Sequence, residues 1–269
     1  MAEPMAFRTS YVAFPTRADP PLTVAGQLRV PLTEPGEAPA KVPAVVVCHG
    51  SDGVDGRGAF HIAALNAAGI ATLEVDMWAA RTTVRGAAGR PASVPQTLPD
   101  AYGAMSFLRT QPEIDPDRIA IAGFSWGGVV SLLSATRAYA DRWAEPGTAF
   151  RAHAAFYPAL WSYNRAPGHD FRDLTGAPVL VQAGGADAYD DPEVCAGFLD
   201  SLAPADRAHV ELVVHEGATH AFDRDLPAKV ITDPYAHKGK GGPVLFEFHP
   251  QAAAAARANL VAFLQRAFA

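Results

Sequence analysis

Short apolar runs recur along the chain at residues 44–48, 70–75, 118–122, 153–156, 178–182 and 210–214. A run such as Ala44-Val45-Val46-Val47-Cys48 keeps no polar face for water, as a strand covered on both sides of a parallel sheet requires. Amphipathic segments at 58–68, 97–110, 126–139, 191–202 and 249–268 lie between the runs and read as helices. Asp191 followed by Pro192 supplies a cap and a first-turn proline for one of them. This alternation predicts an α/β fold: a doubly wound, mostly parallel sheet of about eight strands with right-handed crossovers. The first forty residues differ. Segments 10–14 and 22–30, separated by Pro15, Pro20 and Pro21, read as two antiparallel strands packed on that sheet, and a loop at 31–43 follows. No repeat, linker or composition break divides the chain, so residues 1–269 are expected to form one domain without a separate cap.

With 269 residues, 49% of them hydrophobic and 19% charged, the chain has material for a full core. That excludes a disordered chain or a small disulfide scaffold. The formal charge is −6 and the basic residues are scattered, which argues against a nucleic-acid partner. No stretch approaches the ~18–20 apolar residues that span a bilayer, so no membrane partner is expected. Cys48 and Cys195 lie far apart, and the first residues lack a basic start and apolar run. Reduced thiols and a cytoplasmic location are the expectation. Oligomeric state leaves no mark in the sequence.

Chemistry concentrates in three loops that follow apolar runs. Gly123-Phe124-Ser125-Trp126-Gly127-Gly128 has the G-x-S-x-G form, with a strand before it and a helix after it. Such a turn lifts a serine out of the sheet, and glycines two positions away avoid a clash. A serine needs a base and an acid that orients the base, and the chain order expected is Ser, then Asp or Glu, then His. Asp187 follows the 178–182 run and His220 follows the 210–214 run, so all three are expected at one sheet edge. Asp190 and Asp191 compete with Asp187, although Asp191 looks like a helix cap. His215 and His49 compete with His220. His215-Glu216 with His220 has the spacing H-E-x-x-x-H in a glycine-containing loop, which puts no two ligands on one helix face; no metal site is expected. The oxyanion of a tetrahedral intermediate would be held by the amides of Trp126 and of Ser51, in the loop after the 44–48 run. Two long loops, 77–96 with Trp78, Arg81, Arg85 and Arg90, and 157–176 with Trp161, Tyr163 and Arg165, fall where a ligand crevice belongs.

Taken together these residues resemble the α/β-hydrolase superfamily and, within it, the dienelactone hydrolase family. The likeness runs from about residue 40 onward. It is carried by 114–119 leading into the serine turn, by Gly184-Gly185-Ala186-Asp187, by 216–223 and by His249-Pro250-Gln251-Ala252. Family members with a cysteine nucleophile carry a glutamate just ahead of the oxyanion residue; here Ser125 and Gly50 stand at those positions. The resemblance therefore implies a serine variant that cleaves a small-molecule carboxylic ester or lactone without a cofactor. It implies two arginines for a substrate carboxylate, Arg81 and Arg224; Trp78 and His49, from the loops beside them, are expected to touch the substrate as well. Acyl transfer, peptide cleavage and carbon–carbon bond hydrolysis suit the same residues, and a ligand-binding protein that has kept the fold without turnover is the reading from another class.

Overall fold

The apolar runs at 44–48, 70–75, 118–122, 153–156 and 178–182 become largely buried strands. The run at 210–214 becomes an edge strand with Glu211 and Val214 exposed, because among the described residues no further strand or helix covers its outer face. The computed structural model describes residues 6–32, 41–84 and 86–269; residues 33–40 of the proline-containing loop and Arg85 lie outside the described residues. The strands are β1 (Phe7–Pro15), β2 (Thr23–Pro31), β3 (Val42–Cys48), β4 (Ala71–Asp76), β5 (Ile114–Phe124), β6 (His153–Phe156), β7 (Val179–Gly184) and β8 (Val210–His215). They form one sheet in the order β1-β2-β4-β3-β5-β6-β7-β8. From β4 to β8 neighbours run parallel, whereas β1–β2 and β2–β4 are antiparallel. The N-terminal pair is thus part of the sheet edge rather than a hairpin laid on the sheet, since Ala25 to Arg29 extend the ladder to β4.

The helices are α1 (Arg57–Ala67), α2 (Leu98–Arg109), α3 (Trp126–Ser134), α4 (Arg137–Trp143), α5 (Pro192–Phe198), the single turns α6 (Pro204–Arg207) and α7 (Ala236–Gly239), and α8 (Pro250–Phe268). Alternation along β3 sorts the core into two layers. Ala44, Val46 and Cys48 pack with Leu98 and Tyr102 of α2 and Val130 of α3. Val45 and Val47 pack on the other face with Ile62 and Leu65 of α1 and Leu260 of α8.

Two departures from the periodicity have local causes. The helix expected over 126–139 breaks after Ser134 because Thr136 is extended, with φ −89° and ψ 143°, and bridges to Leu174 of the returning loop. A two-stranded sheet of β9 (Lys229–Asp233) and β10 (Gly242–Phe246) has no counterpart in the apolar pattern, because these strands are short and half exposed. Its signal is confined to the glycines at 239, 241 and 242, all at positive φ, between Val230-Ile231-Thr232 and Val244-Leu245-Phe246. Among the described residues no helix is long and apolar enough to cross a membrane.

Candidate active site

Ser125 stands at the junction of β5 and α3 with φ 50° and ψ −109°. A serine seldom adopts a positive φ, and surrounding structure must hold it there. Its N–H donates to Phe156 O at 2.9 Å, and the Gly127 N–H donates to His49 O at 3.1 Å. The flanking glycines are required by space. A Cβ on Gly123 would lie 2.0 Å from Gly127 O, and one on Gly127 would lie 2.1 Å from Cys48 O.

The loops after β7 and β8 are zipped together. Gly185 N–H donates to His215 O at 2.8 Å and Ala186 N–H to Ala218 O at 2.9 Å. This pairing brings Asp187 and His220, both buried, to the serine turn. His220 Nδ1–H donates to Asp187 Oδ2 at 2.7 Å, and Ser125 Oγ–H donates to His220 Nε2 at 2.9 Å. Asp187 Oδ1 accepts the Tyr189 N–H at 2.9 Å, so both carboxylate oxygens are engaged. Aromatic rings of Tyr189, Tyr157 and Phe246 surround the imidazole at centroid distances of 4.4, 4.8 and 5.5 Å. Beneath Tyr157, its hydroxyl and His61 Nε2–H both donate to the buried Asp223 carboxylate, at 2.6 and 2.8 Å.

The competing residues sit elsewhere. Asp191 caps α5 by accepting the Val194 N–H at 2.8 Å. His215 remains in β8 and donates to Gln182 Oε1 at 3.1 Å. Asp190 is engaged elsewhere: its two oxygens accept the amides of Leu160 and Trp161, each at 2.8 Å, anchoring the loop after β6. Burial, and then the neighbouring Asp187 charge, push the Asp190 carboxyl up to about 7. A carboxyl raised above its unfolded value near 3.8 contributes stability that is full below about pH 4 and is lost as pH rises through about 7. Thermal midpoints recorded from pH 4 to 8 should therefore show a decline that Asp190→Asn flattens.

On the opposite side, the amides of Ser51 and Trp126 donate to no protein acceptor among the described residues. Both residues line a cavity of about 220 Å³ together with Ser125 and His220. Its other walls include Val94, Val129, Ala159, Trp161, Tyr189 and Arg90, so it is largely apolar. His49 and Trp78 do not line this cavity; they brace the loop that carries Ser51. His49 Nε2 accepts the Met77 N–H at 3.0 Å while Nδ1–H donates to Gly50 O at 2.8 Å. Burial pushes the His49 imidazole down to about 4, which suits a neutral strut. Trp78 Nε1–H donates to Ser51 O at 3.2 Å, and its ring meets Trp126 edge-on at 5.3 Å.

The two arginines implied for a substrate carboxylate are turned to other partners. Arg81 makes a fork to the buried Asp100, at 2.7 and 2.9 Å, and also donates to Met77 O and Gln96 O. Arg224 donates to Asp52 Oδ2 at 2.9 Å and lies against Asp55. Sequence position gave no hint of these acidic partners, which come from distant elements. Because burial already holds the Asp100 carboxyl up to about 6, it can take a proton when Arg81 is lost. Arg81→Ala is expected to cost about 2 kcal/mol, or about 5 °C in thermal midpoint. The ratio of rates on anionic and neutral esters should stay within about twofold; a selective loss on anionic esters would restore Arg81 to the substrate. The guanidinium that does reach the cavity wall is Arg90, which the sequence marked only as one of several in a long loop.

Sheet order, serine turn and strand-end loops are those of the α/β-hydrolase fold. Solved structures share it: a dienelactone hydrolase homologue from Klebsiella pneumoniae superposes with a TM-score of 0.65 at 18% identity, over 97% of this chain and 99% of that one. An esterase from Pyrobaculum calidifontis gives 0.63 at 17% identity, over 97% and 86%. The dienelactone hydrolase family model matches residues 28–268, and the chain belongs to that family. A curated relative from Bradyrhizobium, named as a probable 2-oxo-3-(5-oxofuran-2-ylidene)propanoate lactonase, is 27% identical over 132 residues. That match spans 47% of this chain and 49% of the relative, about half of each.

Proposed function

We propose that this chain is a serine hydrolase of small carboxylic esters or lactones. The observation that carries the reading is the unbroken hydrogen-bond line from Asp187 through His220 to Ser125, ending in a cavity that Ser51 and Trp126 also line. Family membership and the lactonase name of the Bradyrhizobium relative support an ester or lactone as the bond cleaved.

In this reading His220 Nε2 takes the proton of Ser125 Oγ as the oxygen attacks the substrate carbonyl. The carbonyl oxygen gains the negative charge, and the Ser51 and Trp126 amides stabilise it. His220 then protonates the departing alkoxide; in a lactone the alcohol stays tethered to the acyl group. Water, losing a proton to His220, attacks the acyl carbon, and the proton returns to Ser125 Oγ as the carboxylic acid leaves. Asp187 keeps the Nδ1–H tautomer and offsets the charge on the imidazolium.

The test is covalent capture. A fluorophosphonate should label Ser125, identified by peptide mass, and p-nitrophenyl acetate should give a burst of nitrophenol stoichiometric with enzyme when deacylation is slow. Absence of both labelling and turnover, in a folded protein that binds ester analogues, would favour the non-catalytic reading.

A further inference from the structure

The cavity is small, and among the described residues one of its walls is joined to the facing side by one polar link. Its volume of about 220 Å³ lies below the ~300–1,000 Å³ of ordinary ligand pockets. Arg90, Ala92, Ser93 and Val94 supply one wall, and Tyr235, from the segment joining β9 to β10, stands among the other lining residues.

The β9–β10 side is anchored to the loops that carry Asp187 and His220. His237 N–H donates to Ala188 O at 2.8 Å and Lys238 N–H to Tyr189 O at 3.1 Å. At the other end, His220 bridges to Phe246, and the Glu247 N–H donates to Thr219 Oγ1 at 3.1 Å. The facing segment, residues 86–93, has no such backbone pairing among the described residues. Among the described residues, the Arg90–Asp233 contact is the one hydrogen bond that joins it to anything beyond residue 97. Arg90 Nη1–H donates to Asp233 Oδ2 at 3.1 Å, and the guanidinium lies 4.9 Å from the Tyr235 ring centroid. Asp233 is buried and is itself fixed, since its Oδ1 accepts the Tyr235 N–H at 2.8 Å.

We propose that the Arg90–Asp233 ion pair latches residues 86–93 against the β9–β10 hairpin and so sets the size of ester the cavity admits. Arg90 is then a specificity-determining residue, and the substrate class is narrowed to esters with short acyl and alcohol groups or compact lactones. A single partly exposed ion pair holds a segment without locking it, so exchange of small molecules continues while bulky chains meet a closed wall. Removing either charge frees the segment to move outward, which enlarges the site; neither Arg90 nor Asp233 takes part in the hydrogen bonds that join Asp187, His220 and Ser125. The inference rests on the serine-hydrolase reading.

The test compares kcat/KM for p-nitrophenyl acetate, butyrate and octanoate in the full chain and in Arg90→Ala, Arg90→Lys and Asp233→Asn. The unsubstituted enzyme should favour acetate. In Arg90→Ala and Asp233→Asn the octanoate-to-acetate ratio should rise at least tenfold, and in Arg90→Lys, which keeps the charge but loses the guanidinium over the Tyr235 ring, by a smaller factor. Thermal midpoints are recorded for each; should Arg90→Ala fail to fold, the lysine and asparagine variants carry the comparison. Ratios within twofold of the unsubstituted enzyme in every folded variant, with Ser125 still labelled by fluorophosphonate, overturn the latch alone. No labelling and no turnover in the unsubstituted enzyme overturns the hydrolase reading and the latch with it.

Discussion

Ser125→Ala is expected to cut hydrolysis of p-nitrophenyl acetate by at least ~10⁴-fold in kcat, with the thermal midpoint little changed. The methyl side chain leaves His220 paired with Asp187 but with no oxygen to activate. What survives is attack by water, assisted at most by His220 as base and by the two amides proposed to hold the oxyanion. The effect should fall on kcat and not on KM, because the cavity proposed to bind the ester is untouched. Rates from purified protein at saturating ester, with the mass of the fluorophosphonate adduct as a second readout, check both parts. A Ser125→Ala enzyme retaining a tenth of the parent rate would remove Ser125 as nucleophile.

Gly127→Ala should be among the most damaging substitutions for folding. The added Cβ would sit 2.1 Å from Cys48 O, 2.6 Å from Cys48 C and 2.7 Å from His49 O. These are backbone atoms at the end of a central strand, where no side chain can swing aside. The cost is expected at ~4 kcal/mol or more, a fall of at least ~8 °C in thermal midpoint, or insoluble protein. Relief would have to come from moving α3 away from β3, which also displaces Ser51 from Ser125. Any folded fraction should therefore lose kcat as well as stability. Gly197→Ala is the control: nothing lies within 4 Å of its Cβ position, and an alanine in α5 should leave the midpoint unchanged or raise it. Equal midpoints for the two variants would show that close packing at the turn is not what requires Gly127.

Much of the framework was legible because it obeys short-range rules. A strand with no polar face must be covered twice, so Val45, Val46 and Val47 announced a central parallel strand, and the residues just past each such strand fell at one sheet edge. Ser125, Asp187 and His220 could be collected on that ground alone. The hairpin of β9 and β10 escaped because Val230 and Leu245 face solvent and show no buried pattern. The break at Thr136 escaped because the bond partner that ends the helix, Leu174, lies 38 residues further on.

The sequence by itself determined the α/β class, the tight turn at Ser125 and the order of the three loops, since each follows from local periodicity and from where glycine is sterically needed. Tertiary structure alone decided which carboxylate meets His220. Asp187 and Asp190 follow the same strand three residues apart, and only the Leu160 and Trp161 amides, brought from another loop, take Asp190 away. It also decided the arginines: Asp100 and Asp52 hold Arg81 and Arg224, while Asp233 draws Arg90 to the cavity wall. A long charged side chain goes to the counter-charge that folding places within its reach, and that distance is not written in the spacing of residues along the chain.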